Sequence, residues 1–197
     1  MQHDCPDRQT AEALLAAAEA QNPGPWGDHS RMAARCAERI AGACGMDPER
    51  AYILGLLHDI GRAHGFSYFR HAADGYRDML ALGYPAAARV CLTHSFSDGD
   101  LNSYIGRFDV THEEKEEMGR VLSAMVFDDY DRLIQLCDAV CMAEGVVPMV
   151  ERMTDVKQRY GMYPQSKWDG NLALQGYFEE KTGGSLAELT ADLRKTD

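Results

Sequence analysis

The sequence predicts an all-α fold, on three observations. Apolar residues recur at spacings of three and four along most of the chain, and prolines, glycines and capping residues punctuate those stretches. No segment alternates apolar and polar residues as a strand would, and no internal repeat is visible. With 197 residues and 45% hydrophobic content, the chain is long enough to bury one sizeable core, so a single domain over residues 1–197 is expected.

The elements follow in order. Residues 10–20 are rich in Ala, Leu and Glu, with Thr10 as the expected N-cap and Asn22-Pro23-Gly24-Pro25 as the stop. A second helix is expected over 28–44, with Gly45 just beyond its end; Met32, Ala33, Cys36, Ile40 and Ala43 form its stripe. His29 lies on the same stripe and points inward. Asp47-Pro48 is a cap followed by proline at the first helical position, opening a third helix through Tyr52, Ile53, Leu56 and Leu57 to His58 and Asp59, with Gly61 ending it. A fourth helix fits 68–82, with His71 in its first turn and Gly83 closing it. A fifth starts at Pro85 and carries Ala88, Val90, Cys91 and His94. Residues 95–109, with Asp98-Gly99-Asp100 inside them, read as a loop near the site. Thr111 and Glu114 make a capping box for a sixth helix toward Met125. A seventh is expected over 129–144, on a stripe of Leu133, Leu136, Cys137 and Val140, and further helices over 147–160 and 185–195.

Composition excludes several functions. A formal charge of −11 argues against a nucleic-acid surface, which needs clustered Lys and Arg. Small anionic substrates remain open, because a bound metal reverses the local sign. No run of 18 apolar residues occurs, and Met1-Gln2-His3-Asp4-Cys5-Pro6 has neither the basic start nor the apolar stretch of a signal peptide; a cytoplasmic protein without membrane contact is expected. The six cysteines, Cys5, Cys36, Cys44, Cys91, Cys137 and Cys141, are expected reduced. None forms a CxxC pair, and Cys137 with Cys141 reads as two small apolar residues on a core face.

The chemistry lies in an ordered set of metal-ligand residue types: His29, His58-Asp59, His71, His94 and Asp138. Taken singly, a histidine in a helical stripe is more often a satisfied core residue than a ligand. Asp138 stands in the apolar run Leu136-Cys137-Asp138-Ala139-Val140, where a buried carboxylate costs several kcal/mol unless paired or metal-bound; a surface position on an amphipathic helix is the alternative. The joint pattern carries more weight than any member.

That order, His, His-Asp, His, His, Asp, resembles the HD-domain superfamily of metal-dependent phosphohydrolases, and His58-Asp59-Ile60-Gly61 matches a spelling common among its members. The resemblance covers about 28–144, leaving 145–197 as a C-terminal helical extension. It implies that His29, His58, Asp59 and Asp138 bind a first metal. His71 and His94 occupy the places of the two extra histidines of two-metal members, with Asp59 bridging. Imidazole and carboxylate without thiolate suit iron, manganese, zinc or magnesium, and the histidine-rich second site makes magnesium alone the poorer fit.

The implied reaction is hydrolysis of a phosphate ester or anhydride of a small metabolite, most plausibly a nucleotide or dinucleoside polyphosphate, by a metal-activated water. Asp59, Arg62 and His64 are the candidate catalytic residues. Arg62 reads either as a contact to substrate phosphate or as a solvated cation at a helix C-terminus. His64 is a candidate proton donor, because some family phosphodiesterases place a histidine three residues after the aspartate; here Arg62 has that place. Some members put a lysine directly after the last aspartate, where this chain has Ala139. Lys157 and Arg159 read as surface cations, with closure over a substrate phosphate as the alternative, and Trp26 reads as a staple at a helix start, with stacking on a base as the alternative. Two alternatives stand beside the hydrolase: a di-iron oxygenase of the same ligand set cleaving a C–C or C–P bond, and a regulatory domain that has lost activity.

Overall fold

The computed structural model describes residues 4–194, so Met1, Gln2 and His3 of the opening segment, and Lys195 of the last expected helix, lie outside the described residues. The fold is all-α, with one small hairpin. Helix α1 spans Arg8–Gln21, and its N-cap is Asp7 rather than Thr10: the Asp7 carboxylate accepts from the Thr10 N–H at 2.7 Å. A carboxylate is the better acceptor at the positive end of a helix. Helix α2 spans Trp26–Ala43, and Gly45 follows with φ +75°. Trp26 sits inside the first turn of α2 rather than before it, and its Nε1 donates to the Asn22 carbonyl at 2.8 Å, tying the end of α1 to the start of α2.

Helix α3, Pro48–Leu57, has Asp47 as N-cap and Pro48 at its first position. His58 caps its C-terminus, and a 3-10 turn over Ile60–His64 follows. The backbones here approach closely. A Cβ on Gly55 would stand 2.8 Å from the Ala34 Cα of α2, and one on Gly61 would stand 2.1 Å from the His71 carbonyl oxygen. Glycine at these two places lets α2 and the following helix reach the His58-Asp59 segment from either side.

Helix α4 spans Arg70–Ala81 and α5 spans Pro85–Thr93. The start of α4 is fixed from outside its own sequence: the Asp109 carboxylate accepts from the N–H groups of Tyr68, at 2.7 Å, and Arg70, at 2.8 Å. Residues 95–109 form the expected loop, with a short 3-10 turn at Leu101–Ser103. Its Tyr104 and Phe108 pack with Phe69 and Phe96 into a second apolar cluster. Helix α6, His112–Ser123, opens with the capping box of Thr111 and Glu114.

Helix α7 spans Asp129–Val140 and stops four residues short of its expected end. Cys141 turns extended, and strand β1, Cys141–Met142, pairs antiparallel with β2, Gly145–Val146. Gly145 adopts φ +149°, which other residues rarely tolerate, so the chain reverses there instead of continuing the helix. Helix α8 is Met149–Tyr160, closed by Gly161 in the left-handed region. The sequence reading missed α9, Gln165–Thr182. Helix α10, Leu186–Leu189, and a 3-10 turn at Ala191–Leu193 replace the single closing helix expected.

The main core draws on α1, α2, α3, α5 and α7, and takes in Met149 and Met153 of α8, Leu174 and Phe178 of α9, and Leu186 of α10. Cys36, Cys137 and Cys141 are buried in it as free thiols, in keeping with their reading as small apolar residues. No helix of the described residues is long and apolar enough to cross a membrane.

Candidate metal centre

Six side chains meet where α2, α3, α4, α5 and α7 converge. They form two groups, His29, His58 and Asp138, and Asp59, His71 and His94, each with its ligand atoms within 4.8 Å of one another. In the first, His29 Nε2 lies 3.1 Å from Asp138 Oδ1 and 3.2 Å from His58 Nε2. In the second, Asp59 Oδ1 lies 3.2 Å from His71 Nε2 and 3.7 Å from His94 Nε2. His58 Nε2 lies 4.0 Å from Asp59 Oδ2, so the Asp59 carboxylate stands between the groups.

The far side of three imidazoles explains their orientation. Nδ1 of His58 donates to the Gly55 carbonyl at 2.7 Å, that of His71 to the Tyr68 carbonyl, and that of His94 to the Cys91 carbonyl at 2.9 Å. Each bond is made to a residue three positions earlier, at a helix start or end where a carbonyl is within reach. With the proton fixed on Nδ1, the Nε2 lone pair points inward. His71 and His94 therefore bring two lone pairs within 3.4 Å of each other. Two neutral imidazoles so placed repel unless a cation lies between them.

The carboxylates are equally exacting. Burial would raise the Asp59 carboxyl, but the Arg62 guanidinium, His71 and His58 hold it well below the usual carboxylate range. Burial also opposes ionisation of Asp138, and the His29 and His58 rings beside it hold it down in turn. The Asp138 side chain is 29% exposed, between the buried and surface readings of the sequence. His94 is pushed down to about 3, chiefly by burial, and stays neutral at ordinary pH. Asp59 Oδ1 is buried and makes no hydrogen bond. An ionised oxygen in that state is costly, and a divalent cation is the partner that its donor set fits.

Arg62 lies against this cluster. Its Nε donates to Asp59 Oδ2 at 2.5 Å, and its Nη2 is 3.4 Å from His71 Nε2. Its pKa is raised: burial works against the charge, but Asp59 outweighs it. The solvated-cation reading fails for Arg62. His64 is not brought to the cluster. Its ring is 51% exposed and pairs with Asp78 at 2.7 Å, at the far end of the 3-10 turn.

The family model for the HD domain matches residues 26–143, well over half of the chain. The chain belongs to the HD domain family. No curated protein and no solved structure matches it. HD domains are helical, bind divalent metals and are generally metal-dependent hydrolases. Two His/Asp groups that could hold a metal accord with that membership.

The matched HD region ends before α8, yet α8 and α9 complete the surroundings of the centre. A cavity of about 280 Å³ opens on the His71–His94 side, and a groove of about 510 Å³ on the His29 side; Arg62, Asp138, Arg152 and Arg159 line both. The sequence reading passed over Arg152 and Lys167, and for Arg159 preferred the surface to closure over a phosphate. Arg159 is 49% exposed and still lines the cavity, whereas Lys157 is exposed and does not line it. Lys167 enters from α9, its Nζ donating to the Ser95 carbonyl. Thus a lysine reaches the site although Ala139 stands where some relatives have one. The available signal was the concentration of Arg and Lys after position 150 in an acidic chain.

Proposed function

We propose that this HD domain is a two-metal phosphohydrolase acting on a small phosphorylated metabolite. The observation that carries the reading is Asp59. Its Oδ1 is buried without a hydrogen bond and faces His71 and His94, while Oδ2 faces His58 and Arg62, as a carboxylate shared by two cations requires. His29, His58, Asp59 and Asp138 would hold one ion, and Asp59, His71 and His94 the other. Bound divalent metal there supplies a water of lowered pKa and positive charge beside the phosphoryl oxygens.

The chain's own groups supply the rest. Three Nδ1–H bonds to backbone hold the imidazoles in the tautomer that presents Nε2. Arg62, anchored on Asp59 and lining the cavity, orients a phosphoryl oxygen through its guanidinium. Burial of His58, His71, His94 and Asp59 keeps bulk water from the cluster. The cavity of about 280 Å³ sits at the small end of ligand sites and favours a substrate of nucleotide size or below. Packing of α8, α9 and α10 into the main core supports residues 1–197 as one domain.

A panel of phosphomonoesters, phosphodiesters and nucleotides, offered to protein loaded with manganese, iron or zinc under anaerobic conditions, tests this. Metal-dependent phosphate release without dioxygen is expected. Turnover that requires dioxygen would establish the oxygenase instead, and bound metal with no turnover on any substrate would favour the regulatory domain.

A further inference from the structure

We infer that α8 and α9 build a second anion site, so that the substrate carries an anionic group besides the one that reacts. The inference deepens the phosphohydrolase reading and rests on it only for which end of the substrate reacts. The cavity beside His71 and His94 contains polar atoms that the protein leaves unserved. Arg152 Nε, Gln135 Oε1 and Ser97 Oγ all belong to lining residues, all are buried, and none makes a hydrogen bond. Native interiors rarely leave such atoms without a partner.

Gln135 shows the arrangement to be built rather than loose. Its Nε2 donates to the carbonyls of Thr93, at 3.0 Å, and Phe96, at 3.3 Å, which fixes the amide and leaves Oε1 as a free acceptor. Arg152 is held at one corner only, Nη1 on Asp155 Oδ2 at 3.1 Å, and the same Asp155 oxygen accepts from Arg159 Nε at 3.0 Å. Lys167 has no ion-pair partner among the described residues; its one hydrogen bond goes to the Ser95 carbonyl, so two donors of the ammonium remain. Gly170 lets α9 approach the 95–109 loop closely, since a Cβ there would stand 3.3 Å from Ser97 Oγ. Ser166 pins the same junction, donating to Asp98 Oδ2 at 2.8 Å.

Cationic donors at Arg152, Arg159 and Lys167, with a fixed acceptor at Gln135, suit a small bis-anionic molecule that also carries a hydroxyl. One anionic group lies at the His/Asp cluster with Arg62, and the other on α8 and α9. A neutral leaving group would leave Lys167 without a counter-ion and the buried Arg152 Nε, Gln135 Oε1 and Ser97 Oγ unserved in the cavity.

Calorimetric titration of the metal-loaded full-length protein tests this with methylphosphonate against methylene-, propane-1,3- and pentane-1,5-bisphosphonate. Short bisphosphonates also chelate divalent metal more tightly than methylphosphonate, so the margin counts for the second site only where a cavity variant removes it at unchanged metal content. At least one bisphosphonate is expected to bind roughly tenfold tighter than methylphosphonate, the worth of one charge-assisted contact. Lys167→Met and Arg152→Met should each erase that margin with metal content unchanged, and Lys157→Met, an exposed cation outside the cavity, should keep it. Either cavity variant suffices if the other fails to fold. No bisphosphonate gain, or a margin that survives both cavity variants, overturns the second site. Absence of phosphate release from any ester would refute the hydrolase reading alone and leave this comparison intact.

Discussion

Asp59 is the residue on which both metal groups turn, and its substitution separates ligation from packing. Asp59→Ala should lose metal from both groups and abolish activity, as read by elemental analysis and phosphate release. Cys137→Ala, in the same region but facing the core, should cost only about 1 kcal/mol in unfolding and retain metal. Full metal content in the Asp59 variant would refute its bridging place. At this scale much was legible. His29 on an inward stripe, the His58-Asp59 pair ending an apolar helix and Asp138 in an apolar run are weak singly, and their joint order is what the structure gathers into two groups. Arg62 stayed ambiguous because an aspartate three residues earlier pairs with it equally at a solvated helix end or beside a buried cluster, and the burial of Asp59 is a tertiary fact. The place of His64 was not readable either, since its partner Asp78 lies 14 residues on, in α4.

Among the elements, the segment from α3 to α4 holds the centre by glycine. A Cβ at Gly61 would collide with the backbone of His71 and Gly75, at 2.1 and 2.5 Å, and backbone cannot yield as a side chain does. Gly61→Ala is therefore expected to destabilise by about 3 kcal/mol or more and to lower metal content by displacing His71, measured by denaturant unfolding and elemental analysis. Helix α6 gives a pH test remote from the metal. The Thr111 N–H, then the Arg77 guanidinium, hold the Glu114 carboxyl down to about 2 against an ordinary 4.5. A depressed carboxyl contributes stability that is present above pH 4.5 and lost as pH falls toward 2. Melting temperatures of wild type and Glu114→Gln should accordingly differ at pH 6, and the gap should close through that window. The capping box of α6 was readable because its partners are three residues apart. The cap of α4 was not, because Asp109 lies 39 residues beyond Arg70. Helix α9 escaped notice because Gly170 and Gly176 interrupt it and its apolar residues do not keep to one face; only tertiary packing of Asn171, Leu174 and Phe178 holds it. The hairpin at Gly145 likewise overrode a stripe that reads as helix.

Over the whole molecule, the HD region supplies the candidate ligands and the C-terminal helices supply the wall that faces them. Two carboxylates and converging lone pairs form a centre whose cost without metal is borne by the entire fold. Removing metal by chelation should lower the melting temperature. At metal a hundredfold above its dissociation constant the linkage is about 2.7 kcal/mol, which for a chain of this length means a fall of roughly 5 to 10 °C. The extension was the least legible part, since its contribution is a placement of Arg152, Arg159 and Lys167 that no spacing in the sequence encodes. The central claim is a pair of metals that share Asp59, and the anomalous difference map of a crystal loaded with manganese tests it most directly. Two peaks are expected, one among His29, His58 and Asp138 and one between His71 and His94, with Asp59 touching both. A single peak, or two that do not share Asp59, would contradict it.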